Sequence, residues 1–341
     1  MNKVYIQAAT QISMQQPLCE QWMTEPVLHS EPFVKSVNPV FRDFIPANEA
    51  RRMGSIMKRA IVTALKVLAD TGVQHPDAII TGTSIGSLDY TERILDDMTA
   101  NGEEALSPTF FMQSTHNTVG SSIAIYTKSH GYNTTYSHGQ LSFDLALQDA
   151  WMQMQLGNIG NTLVGGHDEM VESYFQLLRK TGYVGKEGMV PCGEVAMSAF
   201  LTTSKATNCL CELAGIRVVR CSQSKALRAH LDAMLQEAGM TTEAISAVMM
   251  GTNGNKENDN VYSDCVKALF PDKLLLHYKH LFGENYTASA FGLYAAAHCL
   301  SAGVIPVSLV VGGSTPVCPT TILVVNQMNG TDYSFILLRK N

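Results

Sequence analysis

The stretch YNTTYSHGQLSFDLALQDAWMQMQLGNIGNTLVGG, residues 132–166, decides the fold. It begins with a β-prone run, Asn133–Tyr136, that stops at Gly139. A long segment with almost no charge follows as far as Leu156, and after Gly157 a short apolar run ends in two glycines. This order predicts a strand, a sharp turn, a buried helix and a second strand whose end passes close to other backbone.

Gln140 follows the turn and is predicted to lie at the start of the buried helix. The first amides of a helix have no partner within the helix, and the helix dipole favours negative charge there. Enzymes use such positions for nucleophiles, because the ionised form is stabilised. Position 140 is therefore the first candidate for a functional site.

The segment resembles the nucleophile elbow of β-ketoacyl synthases, in which a cysteine opens the central helix and a glycine follows it. Counting back from Gly157 by the spacing of that family places the cysteine's position at Gln140. Other motifs of the family recur in its order: an early strand with a glycine turn, the segment before the elbow, Gly-Glu-Gly, His-Gly-Thr, Lys-x-x-x-Gly-His and Gly-Thr-Asn. The stretches that resemble them are Ile79–Leu88, Ser107–Ala124, Gly193-Glu194, Met250-Gly251-Thr252, Lys279–Glu284 and Asn329–Asp332.

The resemblance implies the thiolase fold, an α/β architecture of five layers in the order αβαβα with two pseudo-repeated halves. We expect an N-terminal half at residues 1–205, with a cap at about 10–48, and a C-terminal half at residues 206–341. The nearly uncharged helices predicted at Leu141–Leu156 and Ala288–Ser301 cannot both face water. We therefore expect them to be buried, packed back to back between two sheets.

Three other stretches have clear local patterns. Apolar residues at helical spacing predict one helix over Glu49–Asp70. Asn329-Gly330 predicts a tight turn between two strands within Thr321–Leu338. The polar, glycine-containing stretch Tyr174–Gly188 is predicted to be an exposed loop.

The positions that carry catalysis in this family hold other residues here. Condensing enzymes of the family use a cysteine and two histidines, and the resemblance places Gln140, Met250 and Glu284 at those positions, with Lys279 retained. A carboxamide cannot ionise to a nucleophile, and methionine cannot carry a proton. A carboxylate would repel the enolate that forms when a malonyl unit loses carbon dioxide. We therefore expect a degenerate site with no catalytic residue.

The same replacement of cysteine by glutamine is found in chain-length factors, the non-catalytic halves of heterodimeric ketosynthases. The resemblance thus implies a subunit that supports a catalytic ketosynthase, or pairs with itself, and shapes the tunnel for an acyl chain on an acyl carrier protein. The pathways implied are polyketide, aryl polyene or fatty-acid-type biosynthesis. Phe110, Phe111, Met112 and His116 are the implied tunnel or interface residues, and core packing explains the aromatic ones equally well.

Two other functions stay open at this point. One is decarboxylation of malonyl carrier protein, although relatives with glutamine and that activity keep both histidines. The other is acyl transfer with a non-standard nucleophile, Ser137 or Ser142, and His138 or His116 as the base. A serine at a turn is more often a cap than a nucleophile.

Composition restricts the remaining classes. A net charge of −6 argues against nucleic acid as the main ligand. Only 16% of the residues are charged, which suggests that a partner covers much of the surface. The eight cysteines lack metal-binding spacing and indicate reduced thiols in a cytoplasmic protein, so neither a metal nor a cofactor is expected. No apolar run is long enough to predict a membrane span.

Overall fold

The structure is a computed structural model, and it describes residues 2–103, 106–311 and 318–341. Ten strands and eleven α-helices are present within those residues. The strands are β1 (Val4–Ile12), β2 (Ala78–Gly82), β3 (Tyr132–Tyr136), β4 (Asn161–Asp168), β5 (Val195–Thr202), β6 (Cys211–Arg220), β7 (Ala247–Met250), β8 (Leu274–His277), β9 (Thr321–Met328) and β10 (Asp332–Arg339). The helices are α1 (Ala47–Ala50), α2 (Ser55–Thr71), α3 (Leu88–Asn101), α4 (Pro108–Ser114), α5 (Thr118–Thr127), α6 (Ser142–Gln155), α7 (Glu172–Thr181), α8 (Ser224–Glu237), α9 (Lys256–Leu269), α10 (Lys279–Phe282) and α11 (Ser289–Ala302).

All ten strands belong to one sheet, in the order β3-β2-β4-β5-β1-β6-β10-β9-β7-β8. Strand β2 is parallel to β3 and β4, and β7 is likewise parallel to β8 and β9. Antiparallel pairs complete each half, β4 with β5 and β5 with β1 in the first, and β9 with β10 and β10 with β6 in the second. The two halves thus repeat one arrangement, and the predicted pseudo-repeat is confirmed.

The two halves are hydrogen-bonded to each other through β1 and β6. Residues 4–6 of β1 pair antiparallel with residues 211–213 of β6. Two separate sheets had been expected from the sequence. The structure instead has one continuous sheet, because each of these strands would otherwise leave its backbone donors and acceptors unpaired along one edge.

Five layers result because the two halves of the continuous sheet form separate β layers on either side of the central helices, with the other helices outside them. Helices α2 and α5 pack on the outer face of the first half, and α8 packs on β6 and α9 in the second. Helices α6 and α11 touch each other, and each contacts strands of both halves. The layer order αβαβα with two central helices is therefore confirmed.

The central helices are buried as their sequences predict. Every residue of α11 from Ser289 to Leu300 is buried. Strand β4 extends through Gly165 and Gly166, beyond its predicted apolar run. A Cβ atom on Gly166 would lie 2.8 Å from Cβ of Ala290, so this glycine permits the close approach of α11 to the sheet.

Two local predictions need correction. The helix expected over Glu49–Asp70 is interrupted between α1 and α2, because Gly54 is extended and lies against Tyr90, where a Cβ atom would come within 2.7 Å of the ring. The stretch Tyr174–Gly188 is only partly a loop, since α7 ends at Thr181. Phe175 of α7 is 1% exposed and stacks on Phe33 with ring centroids 5.2 Å apart.

The C-terminal hairpin was predicted correctly. Strands β9 and β10 are antiparallel, and the turn residues Asn329 and Gly330 have φ values of 57° and 66°. Positive φ at both residues is what a two-residue turn of this kind requires. Among the described residues, no helix combines the length and the apolar character needed to cross a membrane.

Candidate functional site

The predicted elbow is a tight turn between β3 and α6. Gly139 has a φ of 54°, and residues Gly139–Leu141 form a single 3-10 turn before α6 begins at Ser142. Strand β2 ends directly against this turn, because a Cβ atom on Gly82 would lie 2.5 Å from the backbone nitrogen of Phe143. Position 140 is thus held where a strand end meets the start of the central helix.

Gln140 is fixed through both its side chain and its main chain. Its Nε2 donates a hydrogen bond to the phenol oxygen of Tyr183, and its carbonyl accepts one from Nδ2 of Asn326 at 2.8 Å. Burial, followed by the charge of nearby Glu284, raises the pKa of the Tyr183 phenol well above its ordinary value. Tyr183 therefore stays protonated, and Gln140 binds a neutral hydroxyl group.

Asp144, in the first turn of α6, ties the elbow to the second half of the molecule. Its buried carboxylate accepts hydrogen bonds from Ser289 of α11 at 2.7 Å, from Asn326 of β9 at 3.1 Å and from Ser334 of β10. Burial raises the pKa of this carboxyl group, and the hydrogen bonds it accepts oppose the rise. The group is satisfied by the protein itself, so its role is structural.

A buried ion pair forms the inner part of the site. Nζ of Lys279 lies 3.0 and 2.9 Å from the two carboxylate oxygens of Glu284, and these residues are 4% and 1% exposed. Glu284 also accepts a hydrogen bond from Nδ2 of Asn253 at 2.7 Å. The negative charge of Glu284 is therefore compensated within the protein.

Asn253 can present only its amide nitrogen to Glu284. Its Oδ1 already accepts hydrogen bonds from the backbone nitrogen of Asn255 and from Nδ2 of Asn258, both at 3.0 Å. Its carbonyl accepts a further one from the backbone of Val190 at 3.0 Å. The side chain is thus oriented as a fixed donor toward the carboxylate.

The main chain at Glu284 is positioned by two glycines. Gly283 has a φ of 96°, and a Cβ atom there would lie 3.0 Å from Cα of Gly193. The backbone nitrogen of Glu284 donates to the carbonyl of Pro191 at 2.8 Å, and its carbonyl accepts from the backbone nitrogen of Gly193 at 3.0 Å. The glycines of the two motifs therefore serve close backbone approach.

Three of the four predicted site residues lie in one region. Gln140 contacts Tyr183, whose pKa responds to Glu284, and Glu284 is paired with Lys279. Met250 does not join them, since its side chain is buried in the apolar cluster on the outer face of the second half. Sequence reasoning missed Asn253 and Tyr183. Asn253 directly follows the predicted Met250-Gly251-Thr252 motif, whereas nothing in the sequence points to Tyr183.

Within the described residues, this region holds no ionised thiol. The only thiol next to Glu284 in the described structure is that of Cys192, whose backbone is bridged to it. Burial, and then the charge of Glu284, raises the pKa of the Cys192 thiol strongly. Among residues 2–103, 106–311 and 318–341, no group of three or more His, Cys, Asp or Glu side chains is arranged to hold a metal ion.

The alternative serine nucleophiles have other partners. The buried hydroxyl of Ser142 donates to the carbonyl of Gly139 at 2.7 Å and accepts from the backbone nitrogen of His138 at 2.8 Å. It therefore stabilises the turn. Ser137 and His138 are exposed, and the imidazole of His116 lies 3.1 Å from the carbonyl of Ser84. No serine–histidine hydrogen bond of a nucleophile and its base connects these described residues.

The predicted tunnel or interface residues divide into two groups. Phe110 packs inward, with its ring stacked on Tyr90 at a centroid distance of 5.3 Å. Phe111 and Met112 point to solvent and are 63% and 68% exposed. His116 is exposed as well.

A comparison with protein families identifies the chain. A family model described as beta-ketoacyl synthase, N-terminal domain, matches residues 20–258. The chain belongs to the β-ketoacyl synthase family. The match includes the elbow, the Gly193-Glu194 turn and the loop that carries Asn253 of this ketosynthase-family chain. No curated protein gave a match.

Solved structures share the fold of this ketosynthase-family chain over its whole length. The ishigamide ketosynthase/chain length factor has a TM-score of 0.84 at 16% identity and covers 100% of this chain and 99% of its own. The ketosynthase ApeO in complex with its chain length factor ApeC, from Xenorhabdus doucetiae, has a TM-score of 0.81 at 14% identity, with coverage of 100% and 98%. A type II PKS acyl-carrier protein in complex with its ketosynthase gives 0.78 at 12% identity, with both chains fully covered.

Proposed function

We propose that this chain is a non-catalytic ketosynthase-family subunit of the chain-length-factor type. It would pair with a catalytically complete ketosynthase and shape the tunnel for an acyl chain delivered by an acyl carrier protein. The observation that carries the proposal is the contact between Gln140 and Tyr183 at the elbow. A neutral carboxamide bound to a neutral phenol supplies neither a nucleophile nor a base.

The ion pair supports the same conclusion. An enolate from a malonyl unit needs neutral or cationic hydrogen-bond donors around its oxygen. Glu284 places a carboxylate there instead, and the only buried cation beside it, Lys279, is already bound to that carboxylate in the described structure. We infer that chemistry belongs to the partner subunit, in polyketide, aryl polyene or fatty-acid-type biosynthesis.

A surface suited to a partner subunit lies at the edge of the first half. We call it the α5 face, defined by Phe111, Met112, Ile125 and Tyr132, which are 63%, 68%, 78% and 41% exposed. It borders β3, the first strand in the sheet order, which pairs only with β2 among the described strands. An open strand edge beside exposed apolar side chains favours association with another chain.

Co-purification and activity measurements test the proposal. The chain is expressed alone and together with a candidate ketosynthase that has the complete catalytic set of one cysteine and two histidines. Each preparation is assayed for condensation and for loss of carbon dioxide from malonyl carrier protein. We expect a stable complex, with activity only when the partner is present. Condensation or decarboxylation by the chain alone would contradict the proposal.

A variant makes this test sharper. Gln140→Cys restores a thiol at the elbow, but the chain would still lack both imidazoles of the condensing enzymes. We therefore expect no condensation from Gln140→Cys alone, as with the matched control Gln140→Ser. Recovery of activity by the thiol variant only would indicate a lost nucleophile within an otherwise competent site.

A further inference from the structure

The inner ion pair is closed off from the surface. A pocket of about 350 Å³ opens in front of the elbow, and its lining includes Gln140, Tyr183 and Asn253. Lys279 and Glu284 do not line this pocket and are almost fully buried behind it. Gln140, Tyr183 and Asn253 therefore separate the pocket from the buried ion pair, with Asn253 hydrogen-bonded to Glu284 and Gln140 hydrogen-bonded to Tyr183.

Aromatic contacts hold Tyr183 in place from the other side. Its ring stacks on that of Tyr286 with centroids 5.8 Å apart and planes 15° from parallel. The hydroxyl of Tyr286 is 3.2 Å from that of Tyr174 on α7. Tyr183 also packs against an apolar cluster that contains Phe175 and Cys192. Its position is therefore fixed by stacking, by packing and by Gln140.

The backbone around Tyr183 is fastened to the loop that carries Asn253. Nδ2 of Asn255 donates to the carbonyl of Gly182 at 3.4 Å. At the other end of the segment, Gly254 lies so close to the carbonyl of Gly188 that a side chain at position 254 would collide with it. The segment Gly182–Gly188 is thus packed against the loop that carries Asn253.

We propose that Tyr183 is a plug that closes the inner cleft, and that Gln140 is the residue that clamps it. The substitution at the elbow would then do more than remove a nucleophile, because it also supplies the hydrogen-bond donor that holds the plug. An acyl chain cannot pass between the elbow and Glu284 in this arrangement. Given the proposed function, this subunit influences chain length through the α5 face and not through its own cleft.

Cys192 provides a native reporter behind the plug. Its thiol is 0% exposed and belongs to the same apolar cluster as Tyr183. The full chain is treated with iodoacetamide, and the alkylation rate of each cysteine is followed by mass spectrometry of its peptide. Exposed Cys318 calibrates the reagent, and Cys211, which is 0% exposed in β6, reports whether the fold stays intact.

We expect Tyr183→Ala to raise the alkylation rate of Cys192 at least about tenfold, because reactivity follows exposure. Tyr183→Phe is the matched comparison, since it keeps the ring and loses only the hydroxyl that Gln140 binds, and it should raise the rate by no more than about threefold, as Gln140→Ala should. Cys211 should stay unreactive in both. An unchanged rate for Cys192 in Tyr183→Ala would overturn the plug.

Gln140→Ala decides the outcome if Tyr183→Ala also exposes Cys211. This change removes the clamp without touching the apolar cluster, and we expect a rise of about threefold for Cys192 alone. No rise would refute the role of Gln140. Labelling needs neither partner nor activity, so it can fail while the proposed function stands.

A second experiment measures product length in the complex. Unchanged product length in Tyr183→Ala and altered length in Met112→Ala would support a role of the α5 face in chain length, and the reverse pattern would refute it.

Discussion

At the scale of single residues, the chain buries charged groups and compensates them locally. Lys279 and Glu284 are both nearly inaccessible and bind each other, and Asn253 satisfies a remaining acceptor. Removing one member of such a pair leaves an uncompensated charge in a medium that solvates it poorly. We therefore expect the loss of either member alone to destabilise the folded chain.

Glu284→Gln should destabilise the chain by about 3–5 kcal/mol, because Lys279 would be left charged and buried. Urea unfolding followed by circular dichroism measures the loss. Asp70→Asn is the control, since Asp70 pairs with Lys66 on the exposed surface of α2 and should cost no more than about 1 kcal/mol. Equal losses of unfolding free energy in the two variants would show that the buried ion pair stabilises the chain no more than the exposed one.

His167 gives the chain a dependence on pH. It is buried in β4, neither ring nitrogen has a hydrogen-bond partner in the described structure, and burial lowers its pKa to about 3. In the unfolded chain the same group takes up a proton below its ordinary pKa of about 6.5. The unfolded state therefore binds more protons between these values, and stability falls as the pH falls from about 7 towards 3.

His167→Leu removes this contribution without losing a hydrogen bond made within the described residues. Between about pH 7 and pH 4 the free energy of unfolding should fall in both proteins. We expect the fall to be about 2–3 kcal/mol smaller in the variant than in the parent. Urea midpoints across that range give the slope. Burial raises the pKa of Asp144 and of Asp168, and these shifts make stability rise as the pH falls. Parent and variant both contain these two residues, so their contribution cancels in the comparison. A slope in His167→Leu identical to that of the parent would contradict the assignment.

The sequence located those site residues that lie in recognisable motifs and missed the one that does not. Gln140, Lys279 and Glu284 lie in motifs whose spacing is preserved, so the resemblance located them. Tyr183 lies in a segment that the sequence predicted to be exposed, and only the packing of α7 brings its ring to the elbow. Met250 occupies a recognisable motif as well, but its side chain turns to the opposite face of the sheet.

At the scale of elements, close backbone contact determines where α6 begins. The last residue of β2 is Gly82, and the first turn of α6 occupies the space that a side chain there would need. Elements were predicted well where the local pattern was clear, as in the uncharged run of α11 and the Asn329-Gly330 turn of the β9–β10 hairpin. The prediction failed for α7, because a short helix with one buried face is hard to tell from a polar loop.

Gly82→Ala should therefore displace the elbow. A Cβ atom would lie 2.5 Å from backbone atoms of Phe143, which cannot rotate away, so we expect a loss of at least about 3 kcal/mol. Gly160→Ala is the control, since its nearest neighbour, Oδ2 of Asp77, is 3.4 Å away. Thermal and urea unfolding compare the two. A similar small effect at both positions would refute the close contact of β2 and α6.

At the scale of the whole molecule, a group of exposed apolar side chains lies beside an open strand edge. Ile125 is 78% exposed on α5, which carries no charged residue, and the neighbouring groove of about 510 Å³ is lined by Met57, Phe111 and Met112 among others.

We also propose that the halves 1–205 and 206–341 are the structural units of the chain, since each supplies five neighbouring strands.

Ile125→Asp should weaken association with the partner subunit, or with a second copy, at least about tenfold, because a charge would be buried in the interface. Leu177→Asp is the matched control, since Leu177 is 57% exposed on α7, away from the α5 face. Sedimentation velocity over a concentration series measures both. Equal weakening, or none in either variant, would place the interface elsewhere. Melting temperatures should be unchanged in the isolated chain.

The pairing of β1 and β10 with β6 in the middle of the sheet suggests how the chain could be circularly permuted. Val4 at the start of β1 and Leu338 near the end of β10 both lie opposite Leu213 of β6. Two strand spacings separate them, about 10 Å. A circular permutant that joins these two points by a short linker and opens at exposed Thr207 would keep every strand neighbour. We expect such a permutant to form the same strand order, although its C-terminal half would be synthesised first.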